Sequence, residues 1–229
     1  MKKLIVLLIC VAAGCGGGGN SGPVVSTQSF NVKIAVANDV ALPHSYKFTG
    51  SGTLGGVSVT IAGTGDASVL TAATFEGQPA LQQTQTTNLT ATGNGTPVPL
   101  NSVTTLFYLP ADYSPLGSTI SNEYDVLDPG VTYPTAAKVG DTGMISTTKL
   151  YLDSTKATQV GNTIDTYSIE ADTANSVIVN LVKASTFTQP APATQTETIK
   201  YRLNALGTFT LLSDSVVSRT DSLTVMPVN

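Results

Sequence analysis

The chain has 229 residues with 11 basic and 15 acidic side chains, a formal net charge of −4. Only 11% of the residues are charged and no basic stripe is present, which argues against a nucleic-acid partner. Both cysteines, Cys10 and Cys15, fall within the first 15 residues. That excludes a disulfide, a cysteine-based zinc site and a cysteine nucleophile from everything downstream.

At the N-terminus, Lys2 and Lys3 precede an uncharged apolar run from Leu4 to Ala13. Such a run is too short to cross a hydrocarbon core of about 30 Å as a helix, so residues 1–14 read as a cleaved secretion signal. The segment Ala12-Ala13-Gly14-Cys15 resembles the lipobox of bacterial lipoproteins, with Ala12 standing where leucine is usual. The resemblance implies cleavage before Cys15, lipid on its thiol, and a membrane as partner through that anchor. Removing Lys2 and Lys3 with the signal leaves nine basic against 15 acidic residues, or −6. Gly16 follows the cysteine, rather than the aspartate that favours inner-membrane retention. The resemblance therefore implies the outer membrane of a Gram-negative envelope, on its periplasmic or surface side. In a Gram-positive cell the same signal implies the outer face of the plasma membrane. Residues 15–29 open on a glycine run and read as a flexible tether.

From residue 30 to 229 the composition argues for strands. Threonine supplies 35 of the 229 residues, valine and isoleucine are plentiful, and tryptophan is absent. Branching at Cβ suits a pleated surface and slightly disfavours helix. In chain order, Phe30-Asn31-Val32-Lys33-Ile34-Ala35-Val36 alternates apolar and polar residues and predicts a half-buried strand. Val57/Val59/Ile61 and Ile199/Tyr201/Leu203 repeat the pattern, with Lys200 and Arg202 interleaved in the second. Weaker strands are expected over 45–51, 68–75, 84–92, 102–109, 119–127, 144–152, 163–171, 176–183, 207–213 and 215–226. One helical turn near 154–159 is the only helix expected beyond the signal. Residues 82–96 are nearly all polar and read as a solvent-facing edge strand. Residues 185–196, with Pro190 and Pro192, read as an extended mobile loop. Pro129, Gly130, Pro134 and Gly140 mark a possible subdivision near 128–141 within a single domain. Many short strands with turn residues between them predict an all-β fold, a mostly antiparallel sandwich or partly open barrel.

Few residues invite a chemical reading. His44 is the only histidine, so a multi-histidine metal site is excluded, and no Gly-x-Ser-x-Gly elbow accompanies it. A solvated turn histidine is expected. Asp141-Thr142-Gly143 and Asp172-Thr173-Ala174 match the aspartic-protease tripeptide, whose chemistry needs two carboxylates sharing one proton. Only 31 positions separate them, too few for two lobes, and the apolar run that should precede each is missing. Turns are expected at both. Acids at Asp112, Glu123, Asp125 and Asp128, and at Asp165, Glu170 and Asp172, lack the spacing of a calcium loop and read as solvated strand edges. Tyr108, Tyr113, Tyr124, Tyr133, Tyr151 and Tyr167 read as sheet packing.

The expectation is therefore a non-catalytic lipoprotein with a binding or envelope-structural role and no cofactor. A half-open barrel carrying lipid or another apolar ligand is the alternative, and an enzyme comes third. A continuous apolar cavity would favour the carrier.

Overall fold

The computed structural model describes residues 23–228. The signal segment, Cys15 and the tether up to residue 22 lie outside the described residues. Among the described residues one helix, α1 (Val32–Val40), precedes thirteen strands. They are β1 (His44–Leu54), β2 (Val57–Ala67), β3 (Thr71–Phe75), β4 (Gln78–Gly93), β5 (Thr96–Tyr108), β6 (Pro115–Ile120) and β7 (Glu123–Leu127). After residues 128–141 follow β8 (Thr142–Tyr151), β9 (Gln159–Thr173), β10 (Ser176–Phe187), β11 (Ala193–Asn204), β12 (Phe209–Ser218) and β13 (Ser222–Pro227).

Each strand from β4 to β13 pairs antiparallel with the next, and β13 returns to β1. The ring closes where β2 pairs with β4 over residues 60–67 and 85–92, skipping β3. The result is a closed twelve-stranded antiparallel barrel, so the expected all-β fold is present and the barrel is shut rather than half-open. β3 stays outside the ring, paired with the first residues of β4. Its Phe75 reaches the outer wall, stacking on Phe107 and Tyr124 with ring centroids 4.5 and 5.3 Å away. Glycine permits the tight closure of β1 on β13. A Cβ at Gly50 would stand 2.0 Å from the Thr224 carbonyl oxygen, far inside van der Waals contact.

The pleat sorts the side chains into two surfaces. Phe48, Ile61, Leu89, Val177, Val179, Ile199, Tyr201, Leu203 and Val225 face inward and are buried in one apolar cluster. Outward stand Lys47, Thr60, Thr90, Lys149, Glu170 and Arg202, all exposed. A membrane-spanning barrel carries a continuous apolar band outside and polar side chains within; here charged and threonine side chains share the outer wall with exposed Val103, Met144, Ile164, Val217 and Met226.

The two ends of the barrel differ. At the end carrying the turns 174–175 and 205–208, the N-terminal segment forms a plug. Phe30 and Ala137 exchange backbone hydrogen bonds of 2.8 Å in both directions. Residues 30–36 were expected as a strand, and this is the largest local correction. Asn31 caps a helix instead, its side-chain oxygen accepting from Ile34 N at 2.9 Å. The helix buries Val32, Ala35, Asp39 and Val40 and leaves Ile34 50% exposed. That is a helical face, and it inserts into the apolar cluster with Phe30. Asn38 Nδ2 donates to the Gly207 carbonyl at 3.2 Å, and Gln83 Nε2 donates to the Val40 carbonyl at 3.3 Å, tying both helix flanks to the rim. Residues 23–29, expected as the last of the tether, also dock at this end. Val24 bridges Asp172, and Ser26 Oγ donates to the Ala174 carbonyl at 2.8 Å.

Other boundaries move as well. Residues 82–96 form a strand, but β4 has β5 on one side and β2 and β3 on the other, so it is no edge. The expected mobile loop at 185–196 shrinks to residues 188–192, because β10 runs on to Phe187 and β11 starts at Ala193. Residues 154–159 hold a turn and no helix. Residues 128–141 are a long connection within one barrel, since β7 and β8 on either side of it pair directly.

Candidate functional site

The opposite end of the barrel is an open mouth. β6 and β7 are short, and residues 96–103 of β5 have a partner in β4 but none in β6. The wall therefore drops to a low sill at the turn of Ser121 and Asn122. Below it lies a chamber of about 490 Å³, within the range of roughly 300–1,000 Å³ typical of small-molecule sites. Its sides combine Ile120, Leu150, Leu152, Val160 and Phe187 with Ser185, Gln189 and Gln195. Leu150, Val160 and Phe187 make a small apolar cluster separate from the main core.

Asp125, Lys183 and Glu197 lie at the floor. Register explains why they meet. Lys183 of β10 stands directly opposite Glu197 of β11 on one side and Asp165 of β9 on the other, and cross-strand partners share a face. Lys183 Nζ lies 3.8 Å from Glu197 Oε2. Asp165 Oδ2 accepts from Ser146 Oγ at 2.7 Å, and Asp125 Oδ2 accepts from Ser118 Oγ at 2.7 Å. Behind them, Asp214 is 2% exposed, and neither of its carboxylate oxygens has a hydrogen-bond partner among the described residues. A smaller cavity of about 140 Å³ lies beyond this layer, towards the plug, and shares Asp125, Leu150, Thr163 and Lys183 with the chamber. Charged side chains thus partition the interior.

Burial sets the protonation of this layer. Removal from water alone would lower the Lys183 ammonium, but the surrounding carboxylates hold it above its usual value. Its side chain keeps 37% of its surface open to the chamber. Glu197 is 4% exposed, and burial pushes it up to about 7, with Lys183 pulling the other way. Burial, then the neighbouring Glu197, push Asp214 well above the usual carboxylate range. The two directions at Lys183 and Glu197 are consistent. The lysine faces several carboxylates, whereas Glu197 faces one cation and further acids.

Most residues singled out in the sequence lie elsewhere. His44 is buried, not solvated, because it opens β1 under the plug; its Nε2 stands 2.7 Å from the Asp39 carbonyl and must carry the proton. Burial holds its pKa below 6.5, the hydrogen bond opposing. Asp141 Oδ2 accepts from Lys138 N at 2.8 Å within its own turn. Asp172 accepts from Arg202 Nε at 2.7 Å and from Ser176 Oγ at 2.5 Å. Each carboxylate is taken by its own partners, so the two do not form a proton-sharing pair. Asp125 and Asp165, expected as solvated edge charges, face the barrel interior instead. Asp112 and Asp128 are half-open surface acids paired with Lys33 and Lys149. Glu170 is exposed on the outer wall and accepts from Asn180 Nδ2 at 2.9 Å. Among the tyrosines, Tyr108 is buried and Tyr133 and Tyr167 pack on the core, while Tyr124 lies outside against Phe75. Lys183, Glu197 and Asp214 are the residues that sequence reading missed. The smaller cavity is lined mostly by apolar side chains, Leu106, Ile145, Leu181, Ile199 and Phe209 among them, with Asp125, Asp165 and Lys183 also in its wall. No family model matches the chain, and no curated protein or solved structure matches it.

Proposed function

We propose that the protein is exported, lipidated on Cys15 and held at a membrane, the outer one in a Gram-negative cell. There its barrel acts as a non-catalytic vessel for a small molecule entering at the mouth. The observation that carries this reading is the chamber: a single-ended recess of mixed apolar and polar lining in a barrel whose other end is plugged. Exposed charges on the outer wall, Lys47, Lys149, Glu170 and Arg202 among them, support a barrel standing clear of the lipid. Binding without chemistry is favoured because His44 is spent on a backbone carbonyl and Asp141 and Asp172 on their own turns.

Two measurements test it. Ser185 points into the chamber, 2.8 Å from Thr163 Oγ1, so Ser185→Trp fills the recess from an inward position on β10. A neutral solvatochromic dye is expected to bind the native protein and to lose affinity about tenfold or more in the variant, a difference of about 1.4 kcal/mol. Equal dye binding by both would sink the vessel. For the anchor, mass spectrometry of the mature N-terminus is expected to find acyl mass on Cys15. Cys15→Ser should lose that mass together with membrane association. An unmodified Cys15 would remove the anchor from the reading.

A further inference from the structure

We infer that the chamber takes a small organic cation, a primary ammonium on a compact apolar body, with the ammonium on Glu197 and the body against Leu150, Val160 and Phe187. The inference rests on the vessel reading and names its class of ligand.

Three observations converge. The first is charge. Among the described residues Lys183 is the only lysine or arginine on an inward-facing strand position, against five carboxyl groups, of Glu123, Asp125, Asp165, Glu197 and Asp214, the last two pushed toward the neutral form by burial. An incoming cation reduces that imbalance and an incoming anion deepens it. The second is an acceptor without a donor. Glu197 is 96% buried and faces the chamber, and its Oε1 has no hydrogen-bond partner among the described residues. A buried acceptor left unmade costs about 1–3 kcal/mol, and an ammonium supplies both the donor and the opposite charge. The third is shape. The apolar cluster of Leu150, Val160 and Phe187 lies beside that floor, apart from the main core, so a ligand with one charged end and one apolar end meets both surfaces. Glu123 at the mouth adds a field that draws cations inward.

Binding a cation favours the ionised form of Glu197. Lys183 from β10, Asp165 from β9, Asp125 from β7 and Asp214 from β12 all bear on that ionisation. The ammonium stays charged across neutral pH, so affinity should rise with pH as Glu197 loses its proton.

Calorimetric titration of the mature protein with three molecules of nearly equal shape tests this: phenethylamine, 2-phenylethanol and phenylacetate. At about pH 8.5, phenethylamine is expected to bind about tenfold or more tighter than 2-phenylethanol, with phenylacetate weakest. Glu197→Gln should remove that preference, and so should lowering the pH to about 5.5. If phenylacetate binds best, Lys183 is the anchor and the ammonium assignment is overturned while the vessel stands. Equal binding of all three, abolished by Ser185→Trp, overturns it in the same way. If none of the three binds and the neutral dye is also indifferent to Ser185→Trp, both readings fall together.

Discussion

Truncating Phe30 to alanine is expected to cost the barrel about 3–5 kcal/mol, the usual range for emptying a well-packed phenylalanine site. For a domain of this size that lowers the melting temperature by roughly 10 °C. The ring is 2% exposed and belongs to the same apolar cluster as Phe48, Tyr201 and Phe209. The backbone of Phe30 is held by its paired hydrogen bonds to Ala137, so the site has little freedom to collapse around the missing atoms. Nine residues of helix would not persist alone in water, since a single short helix does not recover its nucleation cost. Packing of Phe30, Val32 and Ala35 into the barrel is what stabilises α1. Ile34→Ala on the same helix serves as the control: Ile34 is half-exposed, and its loss should stay within about 0.5 kcal/mol. Thermal or denaturant unfolding of both variants checks the contrast. A Phe30→Ala cost near that of Ile34→Ala would mean the plug is laid on the barrel rather than built into it.

The plug also marks where sequence reading failed. Phe30, Val32, Ile34 and Val36 alternate, and a window of seven residues satisfies period 2 so well that strand is the natural choice. The same stretch carries Val32, Ala35, Asp39 and Val40 at helical spacing, with Asn31 as a cap. Extending the window by four residues would have made the two periods compete. Elsewhere alternation served well, because β2 and β11 lie half in water and half in core, the situation that period 2 describes. It could also have found Glu197, which stands two residues before Ile199 and so on the face of Tyr201 and Leu203. The same count aligns Lys183 with Val177, Val179 and Leu181.

Two features were beyond it. Asp214 faces inward only because a register shift between Lys200 and Tyr201 lets β12 skip a residue, turning Leu211 and Asp214 to the same side. Closure depends on β2 passing over β3 to reach β4, a pairing that no local pattern encodes. Once closed, the ring brings β7, β9, β10, β11 and β12 round a shared interior. The candidate site exists through that convergence, so the sequence could supply its members singly without revealing that they meet.

Replacing Glu197 by glutamine should stabilise the protein in mildly alkaline solution and leave it nearly unchanged in acid. Burial raises the Glu197 carboxyl from its ordinary 4.5 to about 7 in the folded protein. Between those values the unfolded chain releases its proton while the folded one retains it. The unfolded state therefore binds fewer protons, and stability falls as pH rises through this window. Above it both states are ionised and the cost stays constant, about 3 kcal/mol at 1.36 kcal/mol per pH unit. Glutamine keeps the shape and carries no charge to bury. Lys183 is not orphaned by the change, because Asp165 still stands opposite it and Asp125 lines the same floor.

Other groups tilt the curve the opposite way, so the comparison must be between the two proteins and not along one of them. His44, held below 6.5 by burial, makes stability fall as pH drops below that value. Asp112, Asp128 and Asp172, held below 3.8 chiefly by hydrogen bonds from Lys33, Thr147 and Arg202 respectively, act only in stronger acid. These contributions are common to both proteins and cancel in the difference. Melting temperatures of Glu197→Gln and wild type should thus coincide near about pH 4.5 and separate to roughly 6–12 °C by about pH 8, with the variant higher. Parallel curves across that range would mean that Glu197 is ionised and well solvated at the chamber floor, and the variant falling below wild type would mean that its charge pair with Lys183 stabilises the barrel. A gap opening as described would identify Glu197 as a strained group, whose charge is unfavourable until a donor reaches it through the mouth.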